Sequence, residues 1–123
     1  MTSEELKTRT KKFALDIISL YEQMPISVPN NKFFDQLIRS GSSVGANYRA
    51  ACRAKSTADF INKLKIVEEE ADESVFFLEL LLAINEKKFH DDINSLIKEG
   101  DEILAIIVSS IITMRKKQSK QKA

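Results

Sequence analysis

Five consecutive residues, Gly41-Ser42-Ser43-Val44-Gly45, carry the G-x-S-x-G pattern of a hydrolase nucleophile elbow. That turn needs a strand before the serine and a helix after it, whereas the residues on both sides of this segment have helical periodicity. The only histidine, His90, lies in a distant connection. Because a catalytic serine needs an adjacent base, the small residues are better explained by close helix packing.

The acidic residues do not form a good metal site either. His90, Asp91 and Asp92 are consecutive, so they cannot all face one ion. The acidic run from Glu68 to Glu73 lacks the paired Glu-x-x-His ligands of a di-iron helical bundle. We therefore predict no metal, no cofactor and no enzymatic activity, and interpret the acidic run as a solvated helix face.

A basic segment is the best candidate for a binding site. Residues 36 to 65 contain six basic residues and one acid, whereas residues 66 to 86 contain seven acids and neither lysine nor arginine. Arginine forks onto phosphates, and an array of bases attracts polyanions. The residues that we expect to bind the RNA or DNA backbone are Arg39, Arg49, Arg53, Lys55 and Lys63.

The same bases have a second interpretation. They can pair with the acids of the following helix, in the same subunit or in a neighbouring one. The chain would then be a protein-interaction scaffold that binds no nucleic acid. The sequence leaves both interpretations open, although Tyr48 falls on the core side of its helix and is therefore not expected to stack on a base.

The helices that carry these residues follow from composition and periodicity. With 43% hydrophobic residues, 30% charged residues, three glycines and two prolines, the chain suits a single all-α domain with long helices. Apolar residues at spacings of three and four predict a four-helix bundle over residues 1–115, in which helix three is antiparallel to helix two, followed by a basic, disordered tail over 116–123. The predicted helices span about 3–23, 31–55, 57–86 and 91–115. Ser56 and Asp59 resemble a capping box, which predicts a tight turn before helix three.

Helices three and four carry more apolar side chains than one core needs. From Val75 onward helix three is apolar on several faces, which predicts a subunit interface. The residues expected there are Phe76, Phe77, Leu80, Ile84, Ile103 and Ile106. The most apolar run, 103–114, is shorter than the roughly 20 residues that span a bilayer, so no membrane contact is expected. The lone Cys52 and the absence of a signal segment favour a cytoplasmic location.

The two central helices resemble a known family. The motifs are Gln36-Leu37-x-Arg39-Ser40-x-x-Ser43-Val44-x-x-Asn47, Ser56-x-x-Asp59-Phe60-x-x-Lys63-Leu64-x-Ile66 and Glu70-Ala71-x-Glu73. They are similar to those of the large-subunit (23S) rRNA intervening-sequence proteins, a four-helix-bundle family. This chain departs from the family where an Asn-Ile-Ala-Glu-Gly run is common, because Asn47-Tyr48-Arg49-Ala50-Ala51 is more basic.

That resemblance implies an up-down bundle that assembles as a homopentamer and has no enzymatic activity. Related proteins include the accessory protein of diversity-generating retroelements, which binds nucleic acid and a reverse transcriptase. The partners implied for this chain are therefore further copies of itself, RNA or DNA, and a reverse transcriptase or other protein.

Overall fold

The four predicted helices all form. The structure, a computed structural model, describes residues 1–122, and its helices α1 to α4 span Ser3–Gln23, Val28–Ala51, Thr57–Ile84 and His90–Lys122. A single 3₁₀ turn, Lys87–Phe89, precedes α4. Consecutive helices pack against each other, and α1 also contacts α4, so each helix has two neighbours. The chain is therefore an all-α four-helix bundle, and none of residues 1–122 forms a strand.

The first three helices begin at side-chain caps. The hydroxyls of Thr2, Ser27 and Ser56 each accept a hydrogen bond, 3.1 Å long, from the backbone N–H three residues later. Pro29 lies in the first turn of α2, where its missing N–H leaves no helical hydrogen bond unmade. For this reason α2 begins at Val28, before the predicted residue 31, and it also ends earlier than predicted.

The helical periodicity identified most of the core. The residues of α2 that recur at spacings of three and four are all buried: Phe34, Leu37, Gly41, Val44, Tyr48 and Ala51. The glycines of α2 face α1, since a Cβ on Gly41 would collide with Ile17 Cδ1 and one on Gly45 would lie 3.2 Å from Thr10 Oγ1. The predicted packing role of these small residues is confirmed, because they let α1 and α2 approach closely.

Two polar pairs, one buried and one partly buried, hold α3 against α2. The hydroxyl of Ser74 donates to that of Ser40 over 2.9 Å in the middle of the bundle. Where α2 begins and α3 ends, Asn30 and Asn85 exchange two amide hydrogen bonds of 3.0 and 2.9 Å. Because an unpaired buried amide is costly, these pairs disfavour a sliding of one helix along the other.

Helix α4 differs most from its prediction. It continues to Lys122, whereas the helix was predicted to end at about 115 and a disordered tail was expected over 116–123. Lysine and glutamine, which make up most of this segment, are good helix formers, and extending an existing helix avoids the cost of nucleating a new one. The expected tail is therefore helical as far as Lys122, and residue 123 lies outside the described residues.

Candidate nucleic-acid interface

Arg39 is neutralised within its own subunit. From the outer face of α2 its guanidinium reaches α3, where it pairs with Glu70 at 3.2 Å and with Glu73. Its Nε also donates to Gln36 Oε1 over 3.3 Å. The hydrogen bond to Glu73 raises the pKa of Arg39 above its ordinary value. Arg39 therefore links α2 to α3, as the second interpretation of the bases predicts.

Lys63 is also engaged by an acid. Its Nζ lies 2.9 Å from Asp59 Oδ1, one helical turn away on α3. The other carboxylate oxygen of Asp59 accepts a hydrogen bond of 3.2 Å from the backbone N–H of Lys55. The Lys63 hydrogen bond, followed by the Lys55 backbone N–H, lowers the pKa of Asp59. This pair stabilises the turn between α2 and α3.

Three of the five predicted cations differ from these two. Arg49, Arg53 and Lys55 lie at the end of α2 and in the turn after it, and all three are exposed. In the described part of the chain no carboxylate lies within ion-pairing distance of them. Arg53 Nη1 donates only to the carbonyl of Arg49, over 3.3 Å. We call Arg49, Arg53 and Lys55 the cationic end.

A groove between α1 and α2 opens beside the cationic end. It has a volume of about 500 Å³, and Arg49 lines it together with Lys7 and Lys11 of α1. Gly45 and Ala46 are the small residues of its α2 wall. Lys7 pairs with the exposed Glu4 at 3.1 Å. Lys7 and Lys11 were not among the predicted cations, although an antiparallel α1–α2 pair does bring the start of α1 beside the end of α2.

Tyr48 lies beneath the cationic end and belongs to the core. It is only 7% exposed. Burial, assisted by a hydrogen bond with Cys52, raises the pKa of its phenol to about 12. The ring is therefore neutral at physiological pH and is not available for stacking on a nucleotide base, as the sequence analysis expected.

The serine of the G-x-S-x-G segment lies inside a helix. Ser43 is in the middle of α2 and its hydroxyl donates to the carbonyl of Arg39 over 2.8 Å. His90 begins α4, and its Nε2 lies 2.9 Å from the carbonyl oxygen of Asn85, the residue that follows α3. Residues 1–122 contain no group of three or more histidines, cysteines or acids that could hold a metal ion.

The predicted subunit-interface residues divide into three groups. Phe76 and Ile84 are 54% and 49% exposed, so they offer apolar surface. Phe77, Leu80 and Ile106 are partly buried, and the Phe77 ring packs 5.5 Å from that of Phe76. Ile103 is fully buried inside the bundle. Its assignment to the interface was wrong, because Ile103 lies at the centre of the wide apolar stripe of α4 and packs inside the core.

No helix within residues 1–122 has both the length and the apolar character that crossing a bilayer requires.

Comparisons with known proteins agree with the fold. A family model described as 23S rRNA-intervening sequence protein matches residues 4–109. The crystal structure of a protein with unknown function from the S23 ribosomal protein family of Bacteroides thetaiotaomicron is 34% identical, with a TM-score of 0.72. That match covers 86% of this chain and 97% of the other. No curated protein is similar enough to count as a relative. Because the family model covers most of the bundle, this chain belongs to the family of 23S rRNA-intervening sequence proteins.

Proposed function

We propose that this protein is a non-enzymatic, oligomeric helical bundle that binds the RNA or DNA backbone through its cationic end. The observation that carries the proposal is the unequal pairing of the predicted cations. Arg39 and Lys63 are held by acids, whereas Arg49, Arg53 and Lys55 have no carboxylate partner among the described residues. A phosphate can bind at these three side chains without breaking an existing ion pair.

The surroundings of the cationic end favour recognition of phosphate over recognition of bases. Lys11 adds positive charge on the opposite wall of the α1–α2 groove, where Lys7 pairs with Glu4. The nearby Tyr48 is buried, so the end of α2 offers no stacking ring. Contacts to phosphate position a protein on nucleic acid without reading its sequence. We therefore expect binding that depends strongly on salt and weakly on sequence.

Oligomerisation would multiply this surface. The exposed Phe76 and Ile84 support a subunit contact on α3, and the family resemblance implies a homopentamer. Several copies of the cationic end on one assembly would bind one long nucleic acid more tightly than a single copy does. Phe76 and Ile84 are therefore proposed to act indirectly, by bringing copies of the cationic end together.

The test reverses the charges of the cationic end and compares the effect with that of a matched charge reversal near the opposite end of the bundle. The variant is Arg49→Glu, Arg53→Glu and Lys55→Glu, and binding is measured by fluorescence anisotropy with a labelled RNA and a labelled DNA of the same sequence. The control reverses three exposed lysines near the opposite end of the bundle, Lys32, Lys87 and Lys88, which changes the net charge equally. The proposal predicts that the first variant loses binding and that the control keeps it. Equal affinities for the two variants would refute it.

A second candidate function is a protein-interaction scaffold that binds no nucleic acid. The pairing of Arg39 with Glu70 and Glu73 favours it, because this base of α2 forms ion pairs with acids of α3. Its partner would be a further copy of the chain, a reverse transcriptase or another protein. This candidate predicts that the wild-type protein binds no oligonucleotide at moderate salt. It also predicts that reversals at the cationic end loosen the oligomer, which light scattering would detect.

A further inference from the structure

The last turns of α4 form a basic helix that continues past the bundle core. The last fully core-facing residue of α4 is Ile111, and residues 115–121 are exposed except for the half-buried Gln118. We call residues 115–122 the α4 extension. Four of its side chains are cations whose structure is described: Arg115, Lys116, Lys117 and Lys120. No acid follows Glu102 in the sequence, so α4 itself supplies no carboxylate near them.

The α4 extension begins beside the cationic end. Met114 lines one groove together with Lys55, Ser56 and Ser3, so the end of α2, the starts of α1 and α3 and the last bundle turn of α4 meet there. Arg115 is the next residue. The cationic end and the cations of the α4 extension therefore lie at the same end of the bundle, although they are far apart in sequence.

The helical dipole explains only part of this charge. A cation near the C-terminus of a helix is favourable, and the effect fades beyond the last turn. The α4 extension has four described cations over more than one turn, and within the described residues none has an ion-pairing carboxylate. Their mutual repulsion opposes helix formation, and a bound polyanion would relieve it.

We propose that the α4 extension is the second half of the nucleic-acid site, and that one phosphate backbone runs from the cationic end onto α4. This inference rests on the proposed function and extends it to Arg115 and to residues 116–122, which were predicted to lie in a disordered tail. Lys116 and Lys120 lie on one side of the helix with Arg115. They are one turn apart, about 6 Å along the axis, which is close to two phosphate steps of about 3.4 Å along one strand.

The test neutralises the α4 extension without shortening it. The variant is Arg115→Gln, Lys116→Gln, Lys117→Gln and Lys120→Gln. Glutamine has nearly the helix propensity of lysine and arginine, so α4 should keep its length in circular dichroism. If each cation meets one phosphate, the slope of log affinity against log salt should become shallower by about 3. The control neutralises Lys32, Lys87, Lys88 and Lys98 and should leave that slope unchanged.

The outcomes separate this inference from the proposed function. If the α4 variant loses affinity and slope while its control does not, the inference is supported. If the α4 variant binds like the wild type while the reversal of Arg49, Arg53 and Lys55 abolishes binding, the inference is wrong and the proposed function stands. If the wild-type protein binds no oligonucleotide, both fail, including the case in which it binds vesicles of anionic phospholipid instead.

Discussion

The unequal pairing of two arginines on α2 leads to a prediction with two independent readouts. We expect Arg39→Gln to lower the stability of the protein and leave nucleic-acid binding intact. We expect Arg49→Gln to weaken nucleic-acid binding and leave the stability nearly unchanged. The two residues have the same charge on the same helix, and they differ in their contacts: Arg39 pairs with Glu70 and Glu73, whereas Arg49 has no carboxylate partner in the described chain.

The size of each effect follows from exposure. The Arg39 side chain is 47% exposed and its two pairs are only partly shielded from water. Partly exposed ion pairs contribute about 0.2–1 kcal/mol each, so its loss should lower the free energy of unfolding by about 1 kcal/mol. Arg49→Gln removes no ion pair among the described residues and should change that free energy by less than about 0.5 kcal/mol. It should make the salt slope of binding shallower by about 0.7–0.9, the share of one phosphate contact.

Urea unfolding followed by circular dichroism measures the first quantity, at one protein concentration because assembly affects apparent stability. Fluorescence anisotropy with a labelled oligonucleotide across a salt series measures the second. The reasoning fails if Arg39→Gln weakens binding as much as Arg49→Gln does. It also fails if Arg49→Gln is the more destabilising of the two substitutions.

Three further predictions concern stability and assembly. Asn85→Ala leaves the buried amide of Asn30 short of a partner, so urea unfolding should show a loss of about 1–3 kcal/mol; an unchanged midpoint would contradict this role. Lys63 holds the pKa of Asp59 below its ordinary 3.8, so the carboxylate stabilises the fold above that pH and ceases to do so as the pH falls through the lowered pKa. The stability difference between wild type and Asp59→Asn should therefore shrink on acidification, and a constant difference would exclude this cause. Phe76→Glu should dissociate the proposed oligomer in light scattering because it places a charge on an exposed apolar surface, and an assembly of unchanged mass would remove that residue from the interface.

The fold was largely predictable because helical periodicity is a property of single segments. The spacing of Phe34, Leu37 and Val44 already indicates one buried face, and the structure buries all three. Periodicity does not show which residue of a wide apolar stripe lies at its buried centre. For this reason Ile103 was assigned to the subunit interface although it lies in the core. The second helix was predicted to start at about residue 31, after Pro29, since a proline that ends one helix and a proline in the first turn of another look alike in sequence.

The candidate site was less predictable because it depends on how two helices are offset along their length. Whether Arg39 reaches Glu70 and Glu73 is decided by the packing of α2 against α3, which no single segment encodes. Lys7 and the α4 extension come from the two ends of the chain and reach the end of α2 only through the folded bundle. The sequence therefore showed which residues carry charge, and the structure showed which of those charges are paired.

The most direct test of the central claim is a lysine footprint of the wild-type protein with and without a bound oligonucleotide. Acetylation of each lysine is read by peptide mass spectrometry at a salt concentration where the oligonucleotide binds. Our account predicts protection of Lys55, Lys116 and Lys120, and unchanged modification of Lys32 and Lys87. Protection at the opposite end, or equal protection at both ends, would contradict it.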